Sequence, residues 1–240
     1  MSETKRTYDS QGTTLSGVAF DEGLRKYMLG VYNYMAMGIA ATALIAFFFV
    51  TNQAALEFAV GLRFIPFIAL LAIGFLGPRL MMSGSLGVAH GVYWAYVALW
   101  GLLIGPMVAL FVGGGLANEV YKAFFITASV FASMSLYGYT TKKDLSGWGK
   151  FLFMASIGLL IAIVVNIFLG SALLSFITSG LVVLVFSAVT AFETQMIKNM
   201  YVEGAGEQNT RASIFGAFAL YGTFVTLFIH ILNLLGLARE

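Results

Sequence analysis

The sequence has no cysteine, 3 prolines and 2 histidines, and only 10% of its 240 residues are charged. Without cysteine the chain cannot form a disulfide framework, a zinc–thiolate site or an iron–sulfur cluster. Two histidines alone cannot build a metal site either. A soluble globular domain carries about 25% charged residues, so this chain has too little polar surface to cover itself in water. These absences exclude a water-soluble enzyme.

Hydrophobic residues, in contrast, are abundant. They make up 60% of the chain, aromatic residues make up 15%, and the mean hydropathy is +0.90. This composition indicates a polytopic membrane protein that has the lipid bilayer as its outer solvent. The net charge of +2 is too small to indicate a nucleic-acid partner. No cofactor is expected, although calcium could be a transported ion.

A membrane-spanning helix needs about 20 mostly apolar residues, and the sequence offers seven such segments. Residues 1–26 are polar and are predicted to form a cytoplasmic tail. Residues 27–240 are predicted to form one all-α domain of seven transmembrane helices. The predicted helices cover residues 28–50, 64–82, 86–112, 119–140, 148–168, 173–199 and 211–236.

Lysine and arginine are divided unequally between the two ends of the predicted bundle. Ten of the 13 basic residues fall at the end that carries the N-terminus, and Arg63, Lys122 and Arg239 fall at the other. Cytoplasmic loops carry the excess of basic residues in membrane proteins. This predicts a cytoplasmic N-terminus and, after seven crossings, an external C-terminus.

Small residues let helices approach closely in lipid, where no hydrophobic drive brings them together. Three pairs with small residues four positions apart are therefore expected at helix contacts. They are Gly87 with Gly91, Gly101 with Gly105, and Ala212 with Gly216.

Glu193 is predicted to lie in the sixth transmembrane helix, on the order of 10 Å from its cytoplasmic end. An ionisable residue in a bilayer costs about 2.5–3.5 kcal/mol at a helix centre, so it is a functional candidate. Two interpretations remain open. Glu193 either ends the helix and faces headgroups or cytoplasm, or it faces the bundle interior as a latch that responds to protons or cations. It is also the one candidate metal ligand.

Other polar residues at membrane depth could assist Glu193. Arg79, near the cytoplasmic end of the second helix, is compatible in depth with an Arg79–Glu193 pair. Calcium takes about 6–8 oxygen ligands, so one carboxylate would need further oxygens. His90 could titrate near neutral pH, but a lone histidine in a membrane helix is more often packed or interfacial. The candidate hydroxyl groups, which more often bond their own backbone, belong to Thr190, Thr223 and Thr226.

Several segments resemble the Bax inhibitor-1 family, also called the transmembrane Bax-inhibitor-motif family. The main match is YGYTTKKDLS at residues 137–146. Supporting matches are GLLIGP at 101–106, AFFITA at 123–128, AFETQMIK at 191–198 and LYGTFVTLF at 220–228. The matches span residues 28–237, and the short polar tail resembles that of a bacterial member in the inner membrane.

The resemblance implies a fold in which six helices surround the last one, a pH-sensitive calcium leak, and a cytoprotective role. In the calcium-leak members an acid of the sixth helix pairs with an aspartate of the seventh, and an arginine of the second helix competes for the first acid. Glu193 and Arg79 match the first and third positions. Thr223 stands at the second position and cannot ionise, which leaves a latch with a single acid.

Two functions follow as competing hypotheses. The leading one is a cation leak gated by Glu193, with calcium or protons as its ions. The alternative is an interaction protein, because some bacterial relatives modulate a membrane-anchored ATP-dependent (AAA) protease, and the tail 1–26 could bind such a partner. Catalysis has the least support, since the sequence contains no credible triad or pair of membrane aspartates.

Overall fold

The computed structural model describes residues 10–62 and 64–237 of the chain, and the regular secondary structure within them is helical. A single 3-10 turn, Ser146–Trp148, precedes the sixth of the eight α-helices in this part. The predicted all-α fold is thereby confirmed. The helices are α1 (Ser10–Thr51), α2 (Gln53–Gly61), α3 (Phe64–Ser83), α4 (Leu86–Gly113), α5 (Ala117–Thr140), α6 (Gly149–Leu169), α7 (Ala172–Asn199) and α8 (Gly206–Leu237).

Seven helices in the described residues are long and apolar enough to cross a membrane. They coincide with the seven predicted segments, and their ends differ by a few residues, most of all at the starts of α1 and α8. The sequence analysis missed α2. Its nine residues reach about 14 Å, so α2 cannot satisfy a length criterion built for spanning helices.

Side chains and glycines at the connections define where the helices begin and end. Asn52 caps α2, Ser85 caps α4 and Ser171 caps α7, each by accepting a hydrogen bond from a backbone N–H in the first turn. Such caps satisfy N–H groups that have no partner within the helix. Gly170 ends α6 with φ +62°, a left-handed conformation that favours glycine.

Helix α1 begins at Ser10, inside the segment 1–26 that is predicted to be a polar tail. The part of α1 that qualifies as a membrane span begins at Glu22. The helix therefore continues beyond the apolar span toward the N-terminus. Residues 1–9 of the predicted tail lie outside the described residues, as do Arg63 and Arg239, and the division into a tail and a domain of residues 27–240 stays a prediction.

Helix α8 lies at the centre of the bundle. In its most apolar stretch 72% of the residues are buried, whereas the corresponding share for the span that contains α6 is 6%. Five helices pack on α8, namely α1, α3, α4, α5 and α7, whereas α6 packs on α7. The expectation of six helices around the last one is therefore not confirmed. Large side chains of α8, such as Tyr221, Leu220 and Leu232, are completely buried. The core of the protein is therefore the interface between α8 and the five helices around it.

Glycines bring α1 and α4 close together. A Cβ added at Gly101 would meet the side chain of Ile45, and one added at Gly105 would meet the ring of Phe49. The predicted role of this pair in helix packing is confirmed. Gly216 likewise faces Ile197 of α7. The same prediction is wrong for Gly91, where a Cβ would find no atom of another helix within 4 Å.

One end of the bundle, here called the basic end, is formed by the loops at residues 84–85, 141–148 and 200–205. Eight of the nine basic residues in the described part lie near it: Arg25, Lys26, Arg79, Lys142, Lys143, Lys150, Lys198 and Arg211. Two of them hold neighbouring helices, since Lys198 Nζ donates to the carbonyl of Tyr139 at 2.8 Å and Arg211 donates to that of Met82 at 3.3 Å. That the basic end is cytoplasmic stays a prediction.

Gly138→Ala should destabilise the bundle by about 1–3 kcal/mol, because overpacking forces neighbouring backbones apart. A Cβ at Gly138 would collide with the carbonyl group of Ala191, where α5 crosses α7. Gly158→Ala is the matched control, since a Cβ there meets no atom within 4 Å and alanine favours the helix. Thermal unfolding of the purified variants in detergent tests this. Equal melting temperatures for the two variants would contradict the close contact.

Candidate functional site

Glu193 lies on α7, six residues before the helix ends at Asn199, which places it about 9 Å inside that end. Its side chain is half-buried, and Oε2 accepts a hydrogen bond of 2.7 Å from Oγ1 of Thr223 on α8. The carboxyl group therefore faces the central helix. This arrangement agrees with the interpretation that Glu193 faces the bundle interior.

Thr223 is buried and occupies the α8 side of the site. The hydroxyl group of Tyr96, on α4, packs against the neighbouring Gly222 so closely that a Cβ there would have no room. The ring of Tyr96 stacks on Phe218, with 4.1 Å between the ring centroids. Glu193 on α7 thus faces the segment of α8 on which Tyr96 of α4 packs.

Arg79 does not meet Glu193 in this structure. Its side chain is exposed near the end of α3, and α3 packs on α4 and α8 rather than on α7. The two ion pairs found among the described residues are Lys122 with Glu119 and Arg211 with Glu207. The two residues are compatible in depth, but the helices that carry them do not pack on each other. A single sequence does not reveal which helices are neighbours. The role of Arg79 stays a prediction.

The other predicted hydroxyl groups bond their own helices. Thr190 Oγ1 donates to the carbonyl of Phe186, and Thr226 Oγ1 donates to that of Gly222, both at 2.8 Å. Threonine in a helix commonly makes this bond to the preceding turn. Of the three predicted threonines, Thr223 is the one whose hydroxyl group reaches Glu193.

His90 lies apart from the acid, in the second turn of α4. Its Nδ1 is 2.9 Å from the carbonyl oxygen of Leu86, and its Nε2 is 3.0 Å from the hydroxyl group of Tyr34 on α1. A carbonyl oxygen accepts only, so Nδ1 carries the proton, and in the neutral ring Nε2 accepts from Tyr34. Both nitrogens of His90 are thus occupied, Nδ1 by a bond within α4 and Nε2 by a bond to α1.

Beside Glu193 runs a hydroxyl network that the sequence analysis missed. Thr194 Oγ1 lies 3.0 Å from Ser135 Oγ on α5, which in turn lies 2.6 Å from the hydroxyl group of Tyr32 on α1. Ser135 is one of several serines on α5, and its sequence position alone does not distinguish it. Its burial does distinguish it, since Ser135 is only 4% exposed and a buried hydroxyl group needs a hydrogen-bond partner.

A second polar cluster joins α7 and α8 nearer the opposite end. Ser179 Oγ lies 3.0 Å from His230 Nδ1 and accepts from Asn233 Nδ2 at 2.9 Å. Asn233 Nδ2 also donates to Ser175 at 2.8 Å. The bonds to Ser175 and Ser179 show that His230 and Asn233 of α8 pack against α7.

Gln195, two residues after Glu193, fixes the loop between α5 and α6. Its Oε1 accepts from the N–H of Leu145 at 2.7 Å, and its Nε2 donates to the carbonyl of Lys143 at 2.8 Å. In the same loop, hydrogen bonds from the N–H and hydroxyl group of Ser146 hold the pKa of Asp144 below its usual value. Two of the segments that carry the resemblance, 137–146 and 191–198, are thereby joined in space.

Among residues 10–62 and 64–237, no three histidine or acidic side chains lie close enough to hold a metal ion together. Glu193 offers one carboxyl group and Thr223 one hydroxyl group. This set can hold a proton or give a passing cation a brief contact, and it is far from the 6–8 oxygens of a resident calcium site.

Comparison with known proteins identifies the family. A sequence model described as "Inhibitor of apoptosis-promoting Bax1" matches residues 24–240, nearly the whole chain. The chain belongs to the Bax inhibitor-1 family. The resemblance of the five segments is thus confirmed, and the protein is a multi-pass membrane protein of this family.

Curated bacterial proteins match along almost their full length. A protein of Rickettsia prowazekii is 40% identical over 234 residues, which cover 95% of this chain and 96% of that protein. The inner membrane protein YbhL of Escherichia coli (strain K12) is 37% identical over 227 residues, covering 90% of this chain and 94% of YbhL. A protein of Deinococcus radiodurans is 38% identical over 212 residues, covering 88% and 90%.

Thr223→Val should lower the stability of the protein by about 1–3 kcal/mol, because it leaves the half-buried carboxyl group of Glu193 without its hydroxyl partner. Thr226→Val removes a hydroxyl group of the same size three residues later, but one that bonds its own helix. It should cost less than about 1 kcal/mol. Melting temperatures in detergent would measure both, and equal losses would argue against the Glu193–Thr223 bond.

Proposed function

We propose that the protein is a pH-responsive cation leak of the inner membrane, with calcium as the transported ion and Glu193 as the gating group. The observation that supports this most directly is the hydrogen bond between Glu193 on α7 and Thr223 on α8. It places an ionisable group at a helix interface, about 9 Å inside the basic end. The inner-membrane location rests on the similarity to YbhL of Escherichia coli.

The protonation state of Glu193 would act through its hydrogen bonds. An ionised carboxylate can only accept hydrogen bonds, and Glu193 accepts one from the hydroxyl group of Thr223. A protonated carboxyl group can also donate one. Protonation of Glu193 thus changes which groups it can hydrogen-bond at the interface between α7 and α8. Helix arrangements that differ in these partners are populated differently as pH changes. Because Thr223 does not titrate, a single acid serves as the sensor.

The rate of transport should be low. Helical backbone carbonyls near Glu193 are used within their own helices, and Thr190 and Thr226 bond their own backbone. A cation that sheds part of its water at Glu193 therefore gains few replacement oxygens, which favours a slow leak over a fast channel. Arg79 would enter the mechanism in another arrangement, in which the end of α3 moves toward α7.

Glu193→Gln should abolish the pH response of calcium flux, because an amide of nearly the same shape cannot gain or lose a proton. The unmodified protein in phosphatidylcholine–phosphatidylglycerol vesicles should change its flux by about fivefold or more across the pH series, a typical range for two-state coupling. A calcium-sensitive dye inside the vesicles measures the flux.

Glu203→Gln is the control for this experiment, since Glu203 is an exposed acid in the loop between α7 and α8. It should leave the flux and its pH profile unchanged. An unaltered profile in Glu193→Gln would show that Glu193 is not the sensor.

The competing hypothesis, an interaction partner of a membrane-anchored ATP-dependent protease, receives support from one observation. Helix α1 begins at Ser10, twelve residues before the apolar span begins at Glu22, so a helical segment extends beyond the span. A protruding helix offers a surface to a partner at the membrane face.

Deletion of residues 2–20 separates the two functions. The deletion spares the span of α1 and the Glu193 site, so calcium flux should persist at the level of the full-length protein. Under the competing hypothesis, co-purification with the protease should be lost. If flux were lost and co-purification retained, residues 2–20 would be needed for the leak and not for protease binding. That result would contradict both expectations.

A further inference from the structure

A groove lies between α1 and α5, open to the side of the bundle. Its volume is about 630 Å³, within the range of about 300–1,000 Å³ that is common for small-molecule sites. Its walls are largely apolar and include Met28 and Leu29 of α1 and Phe131, Ala132 and Leu136 of α5.

The packing of the bundle explains why this space exists. Helix α1 packs on α4 and α8, and α5 packs on α7 and α8, so the two helices flank α8 without a close interface of their own. Phe131 forms the floor of the groove and packs edge-on against Phe224 of α8, with 5.6 Å between the ring centroids. The bond between Tyr32 and Ser135 bridges α1 and α5 at the deeper end. The groove therefore follows from the way α1 and α5 pack on α8.

Arg25 lies at the mouth of the groove. It sits three residues into the first span, and Tyr139, the lining residue opposite it, sits one residue before α5 ends at Thr140. Both residues thus lie at the level of the basic end. Tyr32 is seven residues deeper than Arg25, or about 10 Å, and Phe131 is eight residues deeper than Tyr139, or about 12 Å. The groove runs from headgroup level into the hydrocarbon layer.

The guanidinium of Arg25 is exposed and forms no hydrogen bond or ion pair with a described residue. Other positive charges lie near the mouth: Lys26 is the next residue, and Lys198 lies 4.9 Å from the centre of the Tyr139 ring. Glu22, one turn before Arg25, is an exposed acid. The mouth is cationic, and the walls below it are apolar, since the hydroxyl groups of Tyr32 and Ser135 are already bonded.

We propose that this groove binds one phospholipid with an anionic headgroup, whose phosphate pairs with Arg25 and whose acyl chain lies between α1 and α5. A guanidinium donates two parallel hydrogen bonds to phosphate oxygens, which suits an arginine at headgroup level. Basic pockets between transmembrane helices on the cytoplasmic side are a known setting for anionic headgroups. The lateral opening admits a chain directly from the bilayer.

Native mass spectrometry of the purified full-length protein, with added phosphatidylglycerol or phosphatidylcholine, tests the proposal. The unmodified protein should retain one phosphatidylglycerol in preference to phosphatidylcholine. Arg25→Gln should weaken phosphatidylglycerol binding by about fivefold, the contribution of one basic residue near a membrane surface. It should weaken phosphatidylcholine binding less, because the choline cation of that lipid already offsets the charge of its phosphate. Ala132→Trp, which fills the groove from an exposed position, should lower the binding of both lipids.

Matched controls separate the groove from general surface charge. Lys26→Gln removes the neighbouring positive charge outside the groove, and Ser133→Trp adds the same ring to an exposed position of α5 that does not line it. Lys26→Gln should weaken phosphatidylglycerol binding much less than Arg25→Gln does, and Ser133→Trp should bind like the unmodified protein. Equal effects of Lys26→Gln and Arg25→Gln would overturn the proposal, as would undiminished lipid binding in Ala132→Trp.

Two further outcomes would assign the groove to another occupant. If inorganic phosphate alone displaced bound phosphatidylglycerol at comparable concentration, the site would recognise phosphate without an acyl chain. A dimer that Ala132→Trp converts to a monomer would show that a second copy of the chain fills the groove. Either result would overturn the lipid assignment.

Discussion

Each helix in this protein must satisfy its backbone hydrogen bonds internally, because the bilayer core offers no water to do so. The contacts between helices are left to close packing and to a small number of polar side chains. Glycines bring α1 near α4 and α5 near α7, and hydroxyl and carboxyl groups join α7 to α8. The candidate site, Glu193 with Thr223, is a contact between polar side chains. A group that binds two helices together is well placed to change their arrangement when its own bonding changes.

The interface between α7 and α8 concentrates the polar contacts of the bundle. Near the basic end, Glu193 meets Thr223, and toward the opposite end Ser179 meets His230 and Asn233. Helix α8 is also the most buried span, so its partners have little freedom to rearrange independently. Under the proposed function, a change at Glu193 would act on the helix that contacts five others.

The sequence predicts what depends on composition along the chain and misses what depends on neighbours in space. Apolar length alone locates the seven spans, and counting residues along the sixth predicted helix places Glu193 at its depth. The short helix α2 escapes because nine residues cannot span a bilayer. The sequence offers Thr223 as one of three candidate hydroxyl groups, and the family resemblance sets it opposite Glu193. Its bond to Glu193, thirty residues away, requires the fold. Arg79 is compatible in depth with the acid, yet its helix packs elsewhere.

The position of α6 has a mechanical consequence for α7. In the described part of the chain, α6 makes its main contact with a spanning helix on α7. Lipid surrounds the remaining faces of α6, and fluid acyl chains yield easily to a sideways push. The helix that carries the ionisable group is thus backed on its outer side by α6, while its inner side is held to α8 by the contacts of Glu193, Ser175 and Ser179.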